Sequence, residues 1–425
     1  MTHRVMPFHR QPLFRNAPEP AFLSRRVEGY YQERVHNTWD GGHIMRGRHP
    51  GGDAIHLSSN DYLSVARHPK ILQAAADCLL ASGNGLLMSG IFLHGDNPLL
   101  DLELRLANFM GAEAGVLCQS GFAANTGLIQ SIADETTPVY VDMMAHMSLW
   151  EGIRAASARA VSFHHNDMAH LARQIQKHGP GVILVDSVYS TNGSVCPLET
   201  LVEIGTQSGC VLVVDESHSL GTHGSHGEGM VAALGLCDQV HFRTASLAKA
   251  FAGRAGFISC SERFSEYFKF ESNPAIFSST LLPHEIAGLA ATLEVIHDEH
   301  WRRRALEANA ALLRQALDDL GYNLNGSQSQ IIALESGSER QTIVLRDALE
   351  ARGIFGSVFC APATPKNRAL IRLSVNAMLT PDALARIVDV CREIRGEVGL
   401  ADWASTRRKK AQSAAPAEPA EAAVA

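Results

Sequence analysis

The run Val211-Leu-Val-Val-Asp215-Glu216-Ser217-His218 is apolar and closes on an acid and a histidine. In an open parallel sheet, ligands sit beyond the carboxyl ends of the strands, where Asp215 and the loop residue His218 would fall. On pattern alone Asp215 would serve equally as a helix cap. Downstream, Thr244-Ala-Ser246-Leu-Ala-Lys249-Ala-Phe-Ala-Gly253 sets one lysine among small and apolar side chains. Desolvation there favours the neutral amine, the form a Schiff base requires. A snorkelling structural lysine fits the same pattern. Taken together, a carboxylate for a pyridinium nitrogen and an amine for an aldehyde suit pyridoxal phosphate, whose electron-sink chemistry needs both.

A third segment, Gln119-Ser120-Gly121-Phe122-Ala123-Ala124-Asn125-Thr126-Gly127, reads as a turn from a strand into a helix. Backbone N–H groups at that helix start, with the close approach Gly121 permits, would cradle a phosphate. No Walker A motif is present, and Gly83-Asn-Gly-Leu-Leu-Met-Ser-Gly90 lacks the G-x-G-x-x-G spacing. The pair His164–His165 and the glycine-rich Thr222–Gly229 segment invite a metal reading, but the sequence shows no carboxylate or cysteine spacing to support one. They are read as loop, and no metal is expected.

The elements that must position these groups alternate along the chain. Strands are expected at Ala114, Thr137, Arg159, Gly181, Cys210, Val240 and Ala255, several of them continuous Val/Ile/Leu runs of the kind buried on both faces. Helices fill the intervals; one runs from the N-cap Asn97 and Pro98 to Gly111 at C′. Short strands near Ser329–Leu334, Ile354–Cys360 and Leu370–Val375 alternate with helices at 339–352 and 381–396. The expected organisation is an N-terminal arm (1–60), a large α/β domain with a mostly parallel sheet (61–290), a small C-terminal α/β domain (291–400) and a tail (401–425). The site would lie where the two α/β domains meet.

Composition narrows the function classes. The chain has 425 residues, 46% hydrophobic and 19% charged, enough apolar material for a large core. Its net charge of −7 provides no global field for nucleic acid. No apolar run reaches the roughly 18–20 residues that span a bilayer. Eight scattered cysteines with no C-x-x-C pair read as reduced thiols, hence a cytoplasmic protein. The opening residues are basic, with Arg4, Arg10 and Arg15, but prolines break them and the apolar core of a secretory signal is missing. A transit peptide is the lesser reading and a loose arm the preferred one. After Trp403, a basic tetrad (Arg407–Lys410) leads into Ala/Pro/Glu low complexity, read as a solvated tail.

The segments DESHSLG, ASLAK, SGFAAN, AHMSLWEG, SSNDYL and the late IRLS resemble the α-oxoamine synthases, a fold-type-I family dependent on pyridoxal phosphate. The resemblance runs from about residue 55 to 398. DSVYST, NPAIFSSTLLP, SQSQIIALESG and GIFGSVFCAPAT are similar to the branch that makes α-hydroxyketone quorum-sensing autoinducers.

The resemblance implies a role for each matching residue. Lys249 would carry the cofactor and shuttle the substrate α-proton. Asp215 would pair with the ring nitrogen, His218 with the ring oxygen, and His146 would stack on the ring. Ser120, Gly121, Phe122 and Ser246 would hold the phosphate, joined by Ser279 and Thr280 from a second subunit of a homodimer. Arg372 would grip the substrate carboxylate. Asn60, Asp186 and Ser190 would line the cofactor or substrate. Each has a structural rival: a strand-end histidine for His146, an interdomain ion pair for Arg372, helix caps for Ser279 and Thr280, and turn chemistry for Asp186 and Ser190.

The implied reaction condenses an amino donor, 2-aminobutyrate or S-adenosylmethionine, with a medium-chain acyl-CoA and loses CO₂, giving an aminoketone precursor of the signal. The primary-metabolic 8-amino-7-oxononanoate or 2-amino-3-ketobutyrate synthases are the alternative within the family. The Gly83–Gly90 run argues against them, since it lacks their arginine and carries more apolar bulk. A non-catalytic partner subunit is the alternative outside enzymes, and the presence of Lys249, Asp215 and His218 weighs against it. Acyl length and the choice of donor depend on side chains whose positions the sequence does not determine.

Overall fold

The computed structural model describes residues 17–36, 43, 45 and 47–405. Arg4, Arg10, Arg15 and the tetrad Arg407–Lys410 lie outside the described residues. The chain divides into two compact units, Met1–Arg48 and His49–Ala425. In the first, a helix spans Ala21–Tyr31 and passes into a π-helical turn, Gln32–His36.

The second unit contains twelve strands among its described residues. These are β1 (Ile55–His56), β2 (Ala114–Cys118), β3 (Pro138–Asp142), β4 (Arg159–Phe163), β5 (Val182–Asp186), β6 (Val211–Asp215), β7 (Phe242–Ser246), β8 (Gly256–Cys260), β9 (Ile331–Gly337), β10 (Ile354–Phe355), β11 (Ser357–Phe359) and β12 (Ala369–Ser374). Seven of them form one sheet in the order β2-β8-β7-β6-β5-β3-β4. All neighbours are parallel except β8, which runs antiparallel to both β2 and β7. The seven expected strands are these seven. Their Val/Ile/Leu runs are buried because helices cover both faces: Val139, Val141, Leu184 and Val213 face one core, Tyr140, Ile183, Val185 and Val214 the other.

The parallel strands end together. Asp142, Asp186, Asp215 and Ser246 are the last residues of β3, β5, β6 and β7, and register pairs Asp186 with Asp215 and Asp215 with Thr244. Polar residues therefore gather at the carboxyl edge of an otherwise apolar sheet. The helices Pro283–Asp298 and His300–Asp319 connect this layer to a second, antiparallel sheet ordered β11-β12-β9.

The single strand expected over Ile354–Cys360 is two. Ile354 and Phe355 pair in parallel with Ile55 and His56, while Ser357–Phe359 pairs with Leu370–Arg372. The change of partner falls at Gly356, where a Cβ would stand 2.6 Å from Ile371 Cγ2 and 3.0 Å from the Arg372 carbonyl oxygen. Only a residue without a side chain lets the backbone approach β12 that closely. The pairing with β10 also carries the segment after β1, which includes Asn60 and Tyr62, toward β12 and Arg372.

Candidate active site

The helix Gly121–Ile132 begins directly after β2, and Ser120 is its N-cap, accepting the Ala123 amide at 3.0 Å. First-turn amides of a helix have no intrahelical acceptor, so this end presents N–H groups and a partial positive charge. Gly121 sits against the end of β7: a Cβ there would be 2.5 Å from Ser246 Cβ and 2.8 Å from Ser246 Cα. Ser246 is itself held by its amide donating to Ser217 Oγ at 2.7 Å. Ser120, Gly121, Phe122 and Ser246 thus converge on one helix terminus.

Asp215 is buried and doubly anchored. Its Oδ2 accepts Asn125 Nδ2 at 2.6 Å and its Oδ1 accepts the Ser217 amide at 2.8 Å. It caps a turn, with no helix following. Asn125 is the hub of a larger network. It also donates to Ser148 Oγ at 2.8 Å and accepts Thr244 Oγ1 at 2.6 Å. Ser148 Oγ lies 2.7 Å from His146 Nδ1, and the Ser148 amide points to the same nitrogen. Nδ1 is therefore an acceptor and the ring proton belongs on Nε2. Burial holds the His146 pKa below its ordinary value, so the ring is neutral near pH 7. His146 opens the helix Met147–Ala155, and its amide faces Asp186 Oδ1 at 3.4 Å.

His218 is wholly enclosed, and its pKa falls well below the usual imidazole value. Desolvation is the main cause, with the cations of Lys249 and Arg372 adding to it. Its Nδ1 lies 2.7 Å from the hydroxyl of Tyr62, which also donates to Asn60 Oδ1 at 3.3 Å. Lys249, in the turn after β7, is largely desolvated. Burial, then Arg372, lowers its pKa, and Asp215 partly opposes them. The free amine that the sequence pattern implied is favoured here for that reason.

Arg372, on β12, is 7% exposed yet makes no ion pair with a carboxylate among the described residues. Its guanidinium donates to the Ser190 carbonyl at 2.8 Å and to Asn60 Oδ1 at 3.1 Å, and it lies 4.7 Å over the Phe359 ring. Its Nε is buried without a partner. The interdomain ion pair is thus not what the structure shows: Arg372 is held by neutral oxygens. Lys249, His146, His218, Ser190, Arg372 and Phe359 all line one cavity of about 1100 Å³.

Ser279 and Thr280 do not line this cavity. Ser279 bridges Ser89 and its carbonyl accepts Gln119 Nε2 at 3.0 Å, while the Thr280 amide donates to Met88 O. They do not cap the helix from Pro283; that position belongs to Leu282, whose amide is met by Glu285.

Carboxylates reach both His164 and His165, which the residue spacing alone did not indicate. His165 Nδ1 lies 3.0 Å from the buried Asp142. His164, Asp167 and His170 bring ligand atoms within 4.8 Å of one another. The His170 nitrogens are already engaged, Nδ1 by the His164 amide and Nε2 by Gln174. None of the eight cysteines forms a disulfide, and six of them are buried. No helix of the described residues is long and apolar enough to cross a membrane.

The aminotransferase class I and II family matches residues 52–390, most of the chain. The chain belongs to this family. A CAI-1 autoinducer synthase from Vibrio campbellii is 48% identical over 88% of this chain and 95% of its own length. An 8-amino-7-oxononanoate synthase from Trichlorobacter lovleyi is 31% identical over 82% of this chain and 91% of its own. Among solved structures, a serine palmitoyltransferase from S. paucimobilis with bound PLP–myriocin aldimine aligns at a TM-score of 0.78. Its identity is 26%, and the alignment covers 82% of this chain and 88% of that one. The chain is accordingly a fold-type-I enzyme of the α-oxoamine synthase kind, an acyltransferase that depends on pyridoxal phosphate.

The residues present fit that cofactor. Asp186 Oδ2 is buried with no hydrogen-bond partner, and burial together with neighbouring Asp215 holds the Asp186 pKa well up. The Gly121 cradle would be filled by a single Cβ. Lys249 supplies an amine and Asp215 a fixed carboxylate. Sequence reasoning singled out Asn60, His146, Asp186, Asp215, His218, Lys249 and Arg372, but passed over Tyr62, Asn125, Ser148 and Phe359. All four lie inside segments that the sequence reading quotes, SSNDYL, SGFAAN, AHMSLWEG and GIFGSVFCAPAT; what marks them is a partner supplied by another element.

Proposed function

We propose that this enzyme joins an amino acid, 2-aminobutyrate or S-adenosylmethionine, to a medium-chain acyl-CoA with loss of CO₂. The aminoketone formed is the precursor of an α-hydroxyketone quorum-sensing autoinducer. The observation that carries the reading is the single cavity in which the desolvated Lys249 faces an unpaired Arg372 beside Met143, Met144, Met147, Trp150 and Pro362. An amine, a carboxylate receptor and an apolar wall match an amino acid at one end and an aliphatic acyl group at the other. The 48% identity to a CAI-1 autoinducer synthase supports the branch.

Pyridoxal phosphate, when bound, provides the electron sink for a carbanion at the amino-acid Cα. The protein's residues do the rest. Asp215, oriented by Asn125 and the Ser217 amide, would hold the ring nitrogen, and the helix start at Gly121–Phe122 with Ser246 would hold the phosphate. His146, kept neutral with Nδ1 tied to Ser148, presents its ring without adding a charge. Arg372 orients the carboxylate that is later lost as CO₂. Lys249, as a free amine, takes the α-proton. The Cα then bonds to the thioester carbonyl carbon, the C–S bond breaks and CoA leaves as its thiol. Proximity of the two substrates supplies much of the rate.

The proposal includes a cytoplasmic homodimer in which Ser279 and Thr280 reach the other subunit's phosphate site. Leu80, Leu86, Leu87 and Phe277 are each at least 70% exposed in the single chain, and the Ser89–Ser279 bridge joins the two segments that hold them. A second copy would cover this surface.

The test is CoA release from decanoyl-CoA with a panel of amino donors. Turnover with 2-aminobutyrate or S-adenosylmethionine that disappears in Lys249→Ala supports the proposal. Faster turnover of alanine with a pimeloyl thioester, or of glycine with acetyl-CoA, would move the enzyme to a primary-metabolic branch.

A further inference from the structure

A second cavity, of about 650 Å³, lies between the glycine-rich segment that follows β6 and the helix His300–Asp319. One face of that helix, Arg303, Glu307, Ala310 and Arg314, recurs at the three- and four-residue spacing of a single stripe and lines the cavity, with Arg304 beside it. Ala310 leaves room between the two arginines. The opposite wall is Thr222–His226, and Gln328–Gln330 close a third side.

The positive charge on these walls outweighs the acidic: three arginines face one lining carboxylate, Glu307, and Glu228 acts on Arg303 through space. Arg302, next in sequence, pairs with Glu299 at 2.7 Å and stacks on Trp301. Arg303, Arg304 and Arg314 make no ion pair with a carboxylate among the described residues. Arg303 is 7% exposed, and its guanidinium finds only the carbonyl oxygens of Ile296 and Ser225 and the Nδ1 of His300. Arg314 donates to the Ser329 carbonyl at 2.8 Å. Since Arg303 occupies Nδ1 of His300, that ring carries its proton on Nε2 as a further donor. Glu307 is the acidic side chain of the lining. Glu228, nearby, is taken up by Ser225 and by the His226 amide.

Keeping three guanidinium groups around a cavity with one lining carboxylate, Glu307, costs desolvation and mutual repulsion, which an anion entering the cavity would relieve. Guanidinium forks match phosphate and carboxylate oxygens, and this volume is that of a small cofactor-sized molecule. We infer that this cavity is a binding site for a phosphorylated ligand of nucleotide size. It is separate from the Lys249 cavity, though Gln328 lines both. Two sources share this chemistry: a free polyphosphate and the nucleotide end of an acyl-carrying coenzyme.

Calorimetric titration of the full-length holoenzyme with pyrophosphate and with adenosine 3′,5′-bisphosphate tests the inference. Saturable binding is expected, weakened by salt and reduced about tenfold or more in an Arg304→Ala/Arg314→Ala variant, as the loss of charge-assisted bonds requires. Tighter binding of the bisphosphate would identify a nucleotide ligand; equal binding would identify bare phosphate. Both probes should also protect Arg304 of the unaltered enzyme from phenylglyoxal, read by mass spectrometry, which guards against misfolding of the variant. Binding should persist in Lys249→Ala, so loss of the condensation reaction and loss of this site are distinguishable. No saturable binding of either probe, or binding unchanged in the double variant, would overturn the inference.

Discussion

The hydroxyl of Tyr62 lies 2.7 Å from Nδ1 of His218, joining the segment after β1 to the loop after β6 inside the core. Both side chains are enclosed, and burial pushes the Tyr62 pKa up, so the phenol stays protonated at every working pH. This contact fixes the imidazole and leaves Nε2 for a ligand.

Tyr62→Phe keeps the ring packing and removes the hydroxyl. The imidazole loses its fixed tautomer, and the expected outcome is a fall of about tenfold in kcat, the size of one buried hydrogen bond. The pH at which the cofactor's visible band changes should also shift. Unaltered spectra and turnover would show that the hydroxyl does not position His218.

Asn125 anchors Asp215, Ser148 and Thr244 together. Asn125→Ala strands all three, and unsatisfied buried groups cost about 1–3 kcal/mol each. The thermal midpoint of the cofactor-free protein should fall by several degrees and its affinity for pyridoxal phosphate should drop. Asn125→Asp should be worse for the cofactor, because a second carboxylate beside Asp215 repels it.

Gly121→Ala places a methyl group 2.5 Å from Ser246 Cβ and 2.8 Å from its backbone. Neither contact can be relieved by turning a flexible side chain, so the helix start must retreat from β7. Cofactor affinity, measured by fluorescence titration, should weaken at least tenfold while the secondary structure persists.

Phe359→Ala removes the ring under Arg372. A desolvated cation–π contact is worth about 1–2 kcal/mol. The amino-substrate KM should rise about five- to thirtyfold with a smaller change in kcat, if Arg372 holds the carboxylate as proposed and takes no part in the proton transfer.

Acid stability has a defined sign. Burial lowers the His223 pKa to about 4 from 6.5. The unfolded chain then binds the extra proton first, so stability falls as pH drops from about 6.5 toward about 4. At pH 5 this amounts to about 2 kcal/mol. His218 and His146 act in the same direction. Asp186 acts in the opposite one: its raised pKa favours the folded state as pH falls. Comparing urea midpoints of the wild type and His223→Gln at pH 7 and pH 5 isolates the His223 share. Equal slopes for the two proteins would refute it.

Much of this protein was legible in its residues alone. Continuous apolar runs marked several of the seven sheet strands because a strand covered on both faces needs no alternation. Asp215 announced itself as an acid ending such a run, and Lys249 as an amine among small apolar neighbours, while Ser246 came only from the family resemblance. These signals are local, carried within a few residues. The contacts that turn them into a site are not. Asn125 meets Asp215 because a helix start and a strand end happen to face each other, and Tyr62 meets His218 because β1 pairs with β10. That Arg372, and Arg303 in the second cavity, are held by neutral groups with no carboxylate ion pair among the described residues is decided only once the chain has folded. Local chemistry selected the residues, whereas burial and long-range pairing set their protonation, their orientation and which of them were left without a partner.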